Sequence, residues 1–508
     1  MTVFLLCFLF LDPTESVQNE YKAHIRFLAG DALKGREATS EGQKLAALYL
    51  AAQAQILGLD PAFPRAEEPY FQAFELDRVG PRENLYQLRL KGGGPSAELV
   101  YNRDYYVRPI GEGSFHEKAA MVFVGYGIRA DAYNDYDQMN VKGKWVILVE
   151  GKPAGKQPGS PFEGEAMAET RFYFKYRAAV KLGAVGMIVL TADSVRDRAE
   201  SKGVLRDMSL PSGEAPNPFE PAPDEVFPII RLERQHWQDL FGADFDLFQK
   251  KEAALRASEQ PQSFALRKRT LKFRMNIAKD RGRTENVVAV LPGDDPLLKN
   301  EYVVISAHYD HLGMIDGQVY NGADDNASGS ATLLLAARYL RALPRRRSIV
   351  FVWFSAEEQG LLGSKYFVAH PVVPLEQIVA NLNIDMVGRL EGRKVGVIPS
   401  RTRGVSTLNR VLKEVNEKPG NGFRLIKDLD RFHTRSDHYS FVKAGIPALF
   451  FFAGIHDHYH TQFDDWDRLN YDEMQSFYYF FQDLAQAVVN SDERPVFLDE
   501  SATRDDAD

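Results

Sequence analysis

The stretch Tyr302–His311 reads YVVISAHYDH, a short β-rich run that delivers an imidazole, His308, and two residues later a carboxylate, Asp310. Working outward, NVVAVLPG (Asn286–Gly293) precedes it. SIVFVWFSAEE (Ser348–Glu358) and ALFFFAG (Ala448–Gly454) follow, and again each apolar run ends at turn, polar or acidic residues. Short apolar runs bounded in this way read as buried strands. Helical stretches such as Gly329–Leu343 lie between them. This order predicts an α/β fold, a mixed, mainly parallel sheet sandwiched by helices, with ligands gathered at the carboxyl ends of the strands.

Acids and histidines fall at those ends. A turn at Gly322 precedes Asp324–Asp325–Asn326, the strand from Ser348 ends in Glu357–Glu358, ANLNIDMVG places Asp385, and ALFFFAG leads on to His460. Taken singly, each has an ordinary reading: a surface pair, a solvated helix start, a turn, a helix cap. Taken together, five segments present imidazole or carboxylate at one edge of one sheet. Such donors take a divalent cation, typically zinc. Two histidines and three carboxylates exceed the needs of one ion and suit two ions sharing a carboxylate and a water.

Composition narrows the chemistry. The 508 residues suggest two or three domains. A net charge of −8 argues against a general nucleic-acid binder. The lone cysteine, Cys7, excludes an internal disulfide framework and a thiolate zinc cluster, so any metal site must use His, Asp and Glu. The apolar run Val3–Leu11 is too short to span a bilayer but fits a secretory h-region, without a preceding Lys or Arg and without a clear cleavage site. Residues 1–16 are therefore expected to be a signal peptide or its remnant, and the protein to be secreted, periplasmic or in the cell envelope, with no integral membrane segment.

Residues 20–59 read as helical, with Ser40 and Gln43 as a capping box, Gly58 as a stop, and Leu45, Leu48, Tyr49, Ala52 and Ile56 as the apolar face. From about residue 95 the texture changes to short strands, among them Met121–Ile128 and Lys144–Gly151, a helix over Arg171–Ala184 and a strand over Val185–Leu190. Leu210–Phe227, rich in proline and acids, reads as a loop, and Leu271, Phe273, Met275 and Ile277 alternate with polar residues as a half-wet strand. The expected organisation is 17–94 and 284–492 as two parts of one catalytic domain, 95–283 as an inserted, mostly β domain, and 493–508 as a disordered acidic tail.

HYDHLG, NGADDNASG, AEEQGLLGS, NIDMVGR and YHTQFDD resemble, in order and spacing, the two-zinc aminopeptidase family that also includes glutamate carboxypeptidases. The likeness covers about 20–60 and 284–490, and YRAAVKLGAVGMIVL in the insert resembles a protease-associated (PA) domain. The resemblance implies a zinc-peptidase, phosphorylase/hydrolase-like fold. It implies two zinc ions, one held by His308, Asp385 and Asp325 and the other by Glu358, His460 and the bridging Asp325. It implies a cis peptide after Asp325, Asp310 orienting the His308 ring, Glu357 as general base, and Tyr459 as a donor to the developing oxyanion. His456 and His458 are expected at the rim, and Ser436–Asp437–His438 beside the substrate pocket.

The expected activity is removal of amino-terminal residues from peptides. A carboxypeptidase on the same scaffold, using Arg401, Arg403, Arg431 or Arg435 for the substrate carboxylate, is the nearest alternative. A one-zinc glutaminyl cyclase and a non-catalytic receptor-like ectodomain are more distant ones. Side-chain preference and oligomeric state are open at this point.

Overall fold

The computed structural model describes residues 13–498 apart from 82–85, 102, 111–113, 156–159, 161, 163–167, 171, 192–207, 212–225, 316, 401–403 and 428. The run Val3–Leu11, the final ten residues, Arg401, Arg403 and most of the loop expected over 210–227 lie outside the described residues. The chain divides into two units, Met1–Leu76 with Leu210–Ala215 and Gly282–Asp508, and Asp77–Ser209 with Pro216–Arg281.

The first unit is built on one sheet. Its strands are residues 287–291 of β1 (Phe264–Leu291), β2 (Tyr302–His308), β3 (Ser348–Phe354), β4 (Ile378–Ile384), β5 (Lys394–Ile398), β6 (Arg424–Ile426) and β7 (Ala448–Phe452). The spatial order is β1-β3-β2-β4-β7-β5-β6. The central four, β3, β2, β4 and β7, are mutually parallel, while β1 and β5 pair antiparallel to their neighbours. The sheet is mixed and mainly parallel, as expected.

Every residue of β3 and β4 is buried, the pattern of strands covered on both faces. Alternation sorts the side chains: Val303 and Ile305 enter one core with Ile349, Phe351 and Trp353, and Val304 enters the other with Val350, Val352 and Phe354. The first core packs against α1 (Pro13–Leu28), α2 (Glu41–Ile56), α3 (Gly329–Arg341), α5 (Thr407–Asn416) and α7 (Tyr471–Asn490). The second takes Phe367 of α4 (Leu362–Ala369) and Phe441 of α6 (His438–Lys443). Helices on both faces leave the strand ends as the sheet's open chemistry.

Three expectations need correction. First, Ser40 caps α2 by accepting the Gln43 N–H, and the helix ends before Gly58 at φ +65, but the buried face is not the one expected. Leu45 and Leu48 are each 43% exposed and Ile56 76%, whereas Gln43, Ala46, Ala47, Leu50 and Ala54 are buried. Small alanines let the helix approach the core closely, so size of side chain did not identify the inner face. Second, the strand expected over Met121–Ile128 is Ser114–Phe123. Gly125 and Gly127 then adopt φ +49 and +72, and the Asp135 carboxylate accepts the N–H groups of Tyr126 and Ile128.

Third, the second unit begins at Asp77 and takes in 77–94, which the sequence reading assigned to the catalytic domain. Strand Gln87–Lys91 pairs antiparallel with Thr270–Arg274, setting Leu88 opposite Phe273 and Leu90 opposite Leu271 in one core. The same strand pairs on its other edge with Ala97–Leu99, so the boundary expected at residue 95 cuts through a hairpin. In the same unit Gly186–Thr191 runs parallel to Trp145–Val149 and to Phe227–Glu233, and helix Phe172–Lys181 precedes it.

Candidate metal centre

Register brings the chemistry together. His308 ends β2 level with Phe354 of β3, so the segment just beyond β3 that carries Glu357 and Glu358 sits beside it. Asp385 directly follows β4, and Asp325 lies in Ala323–Ser328, immediately before α3. His460 follows β7 through a seven-residue connection. Ala356, Met386 and His460, each in or beside this cluster, hold left-handed φ values of +57, +57 and +56. Such conformations cost non-glycine residues roughly 1–2 kcal/mol each and concentrate where side chains are aimed for a task.

Two groups of donors result. His308 Nε2 lies 3.2 Å from Asp385 Oδ1 and 3.3 Å from Asp325 Oδ1. Across Asp325, His460 Nε2 lies 2.9 Å from Asp325 Oδ2 and 3.2 Å from Glu358 Oε2. All five residues predicted to hold metal are therefore together, with Asp325 between two sets and one oxygen toward each. A histidine that the sequence reading left without a role joins the second set: His311 Nδ1 is 2.9 Å from Glu358 Oε1. Its only sequence signal was a place three residues beyond His308.

The donors fit zinc. Imidazole and carboxylate atoms of His308, Asp325 and Asp385, and of His311, Asp325 and Glu358, converge closely enough to share an ion, and all are buried. Buried polar atoms aimed inward with no hydrogen-bond partner among the described residues, including Glu358 Oε1 and both nitrogens of His311, mark the same place. Unpaired buried polar atoms are costly, and a shared cation satisfies them.

The groups around the centre hold it in shape. Asp310 Oδ1 accepts the Glu357 N–H at 3.1 Å and Oδ2 the Glu358 N–H at 3.3 Å, while Oδ1 lies 3.7 Å from His308 Nδ1. The Asp325–Asn326 peptide is cis. Asn326 Nδ2 donates to the Ile384 carbonyl, and Asn326 Oδ1 accepts the Met386 N–H, tying the segment to the end of β4. Asp464 accepts the N–H groups of both Asp324 and Asp325, and Asp324 itself turns away to accept from Gly388.

Arg36 was not foreseen. Only 1% exposed, it donates to the carbonyls of Tyr309, Asn321, Gly322 and Leu28. Burial lowers its pKa to about 10 against the opposing pull of Asp310 and Asp325, so it stays charged behind the acids. The local sequence Asp31–Arg36, a short 3-10 helical segment, gives no hint of a guanidinium reaching four carbonyls, three of them more than 270 residues away.

The acids have been pushed apart. Burial, and then the charges of Glu358, Asp437 and Asp385 working against His308, raise the Glu357 carboxyl well above the usual range. Glu358 goes the other way: burial would raise it, but His460 and His311 hold it at about 2. Adjacent glutamates, one inclined to keep a proton and one ionised, are the division expected of an acid–base group and a metal ligand.

A small cavity opens on the centre. Glu357, Glu358, Asp325 and Asp385 form its floor, Met386, Phe432, Phe450, Phe452 and Ile455 give apolar walls, and Tyr459 and Arg435 complete it. The Tyr459 ring stacks on His460 at 3.8 Å. The other expected neighbours stand back. His456 Nε2 faces Asp324 at 3.2 Å, and His458 Nδ1 accepts from Arg389. Ser436, Asp437 and His438 are fully buried beneath, with Ser436 accepting from Asn383 and His438 stacked on Phe450. Arg431 lies over the Phe432 ring.

Residues 286–485 match peptidase family M28. A probable leucine aminopeptidase of Trichophyton verrucosum (strain HKI 0517) is 30% identical over 203 residues, 37% of this chain and 53% of that protein. Aminopeptidase YwaD of Bacillus subtilis (strain 168) is 31% identical over 185 residues, 34% of this chain and 38% of that protein. The chain thus spans about half the length, or less, of these curated relatives. Among solved structures, an aminopeptidase from Aneurinibacillus sp. strain AM-1 aligns with TM-score 0.63 at 20% identity, covering 94% of this chain and 95% of that one. A zinc aminopeptidase from Bacillus subtilis aligns with TM-score 0.55 at 18% identity, covering 94% and 96%. At these identities the likeness is one of fold.

Proposed function

We propose, with residues 286–485 as a peptidase family M28 domain, that this chain is a two-zinc aminopeptidase that removes amino-terminal residues from peptides. The observation that carries the reading is the sharing of Asp325 between two imidazole–carboxylate sets, with Glu357 unshared in the same cavity. His308, Asp325 and Asp385 would hold one ion, and Asp325, Glu358 and His460 the other. Zinc, when bound, polarises the scissile carbonyl and lowers the pKa of water.

The residues of the chain supply the rest. Glu357 takes a proton from the attacking water and returns it to the leaving amine, work suited to a carboxyl that burial raises well above its usual range. Tyr459, its phenol held protonated by burial and by Asp325 and Glu358, donates to the oxyanion. Asp310 is a positioning residue, acting through His308 and through the backbone of both glutamates. The apolar walls accept the side chain of the residue being removed.

The test compares Leu-Gly-Gly with its amino-terminally acetylated twin on zinc-loaded protein. Cleavage of the free peptide alone supports the reading. One observation favours a second: Arg435 in the cavity offers a cation to a substrate carboxylate, as a carboxypeptidase requires. Cleavage of the acetylated peptide would favour that. The names of the curated relatives, aminopeptidases throughout, favour the first. The convergence of six buried histidines and acids at this centre argues against a non-catalytic ectodomain.

The segment YRAAVKLGAVGMIVL, forming a helix and the strand Gly186–Thr191, supports reading the second unit as a PA domain. The run Val3–Leu11 supports export. No helix among the described residues is long and apolar enough to cross a membrane.

A further inference from the structure

His311 is fully buried, and neither ring nitrogen makes a hydrogen bond among the described residues. Its Nδ1 lies 2.9 Å from Glu358 Oε1 and 3.9 Å from Asp325 Oδ2. His460 approaches the same two carboxylates from the other side, at Glu358 Oε2 and Asp325 Oδ2, and the two imidazoles stand edge to face at 5.6 Å. Glu358 is gripped at both oxygens by histidines, whereas Asp385 in the first set faces one imidazole, that of His308.

The ring is also held from behind. The backbone N–H of His311 donates to the Arg36 carbonyl at 3.2 Å, and the Gly322 carbonyl accepts from the Arg36 guanidinium at 3.0 Å. A Cβ at Gly322, which sits at φ +57, would fall 2.4 Å from His311 Cγ. The Gly322 backbone therefore packs close against the imidazole, where any side chain would collide with the ring.

We infer that His311 is a metal ligand of the second position, which then offers four protein donors, His311, His460, Glu358 and Asp325, where the first offers three. Four protein donors complete zinc's usual coordination, the pattern of an ion that supports structure. Three leave a place open, the pattern of one that does chemistry. The two positions are thus unequal: the second fills first and releases its ion last, and the first is the exchangeable one. This rests on the proposed two-zinc reading and refines which ion does what.

The test loads the full chain with cobalt(II) and counts, by proton NMR, the strongly shifted exchangeable imidazole N–H resonances, one for each coordinating histidine. The inference predicts three, from His308, His311 and His460. It predicts that His311→Gln removes one of them and weakens the tighter of two cobalt affinities at least about tenfold in competition with a chelator. Two resonances in the wild type overturn it, and so does a His311→Gln protein with unchanged resonances and affinities. The wild-type count needs no variant, so a misfolded variant leaves the test standing. A wild type that binds no cobalt and cleaves no peptide sinks the two-zinc reading itself, whereas two resonances with cleavage intact sink this inference alone.

Discussion

The carboxylate of Asp310 accepts the backbone N–H of Glu357 at 3.1 Å, and its other oxygen accepts that of Glu358 at 3.3 Å. One acid, two residues past the end of β2, thereby sets the direction of two acids past the end of β3 and also faces His308. Replacing Asp310 by Ala strands two buried N–H groups and frees the imidazole. We expect zinc affinity to fall about 10–100-fold, read by chelator competition, with the far-ultraviolet circular dichroism unchanged. Unchanged affinity would remove Asp310 from this role.

Arg36 ties four carbonyls around the centre from within the core. Arg36→Met leaves those carbonyls unpaired and the acids without their cation, and should cost about 3 kcal/mol or more in urea unfolding. Arg36→Lys should recover only part of this, since an ammonium cannot fork between carbonyls as a guanidinium does.

The apolar walls of the cavity predict preference for a large apolar amino-terminal residue. Burying a leucine side chain is worth about 1.5–3 kcal/mol, so kcat/KM on Leu-Gly-Gly should exceed that on Gly-Gly-Gly by roughly 10–150-fold. Equal rates would show that Met386, Phe450 and Ile455 do not receive that side chain.

In the second unit, burial pushes Asp135 up to about 7, although the N–H groups of Ile128 and Tyr126 and the Tyr133 hydroxyl oppose the shift. A carboxyl whose folded pKa is raised supports stability fully below its unfolded value and loses that support as pH rises through the folded value. Asp135→Asn, which carries no charge, should therefore gain stability relative to wild type between pH 5 and pH 8, by about 1–3 kcal/mol at the upper end. A difference that does not grow with pH would contradict the buried-acid account.

How much of this was legible in the sequence depended on distance along the chain. The donors His308, Glu358 and Asp385 lie at or just past apolar runs, so one rule, ligands at strand ends, found them. The same rule brought in the segments of Asp325 and His460, whose backbone leaves the regular regions, but choosing them over Asp324, His456 and His458 took the motifs. Arg36 and His311 follow no such rule. Arg36 works through carbonyls that belong to distant segments, and His311 is a ring packed against a glycine where any side chain would collide with it. The inner face of α2 was misread because Ala46, Ala47 and Ala54 are buried while Leu45, Leu48 and Ile56 are not. Residues 77–94 were misassigned because the boundary was set at 95, inside a hairpin in which Leu88 and Leu90 face Leu99 and Ala97 on one side and Phe273 and Leu271 on the other.

The central claim is that Glu357 moves the proton while its neighbour Glu358 holds metal. The most direct measurement pairs zinc content with turnover of Leu-Gly-Gly for Glu357→Gln. The account predicts two zinc ions retained per chain and a kcat lower by about 100- to 10,000-fold. A variant that keeps both ions and turns over at nearly the wild-type rate would contradict it.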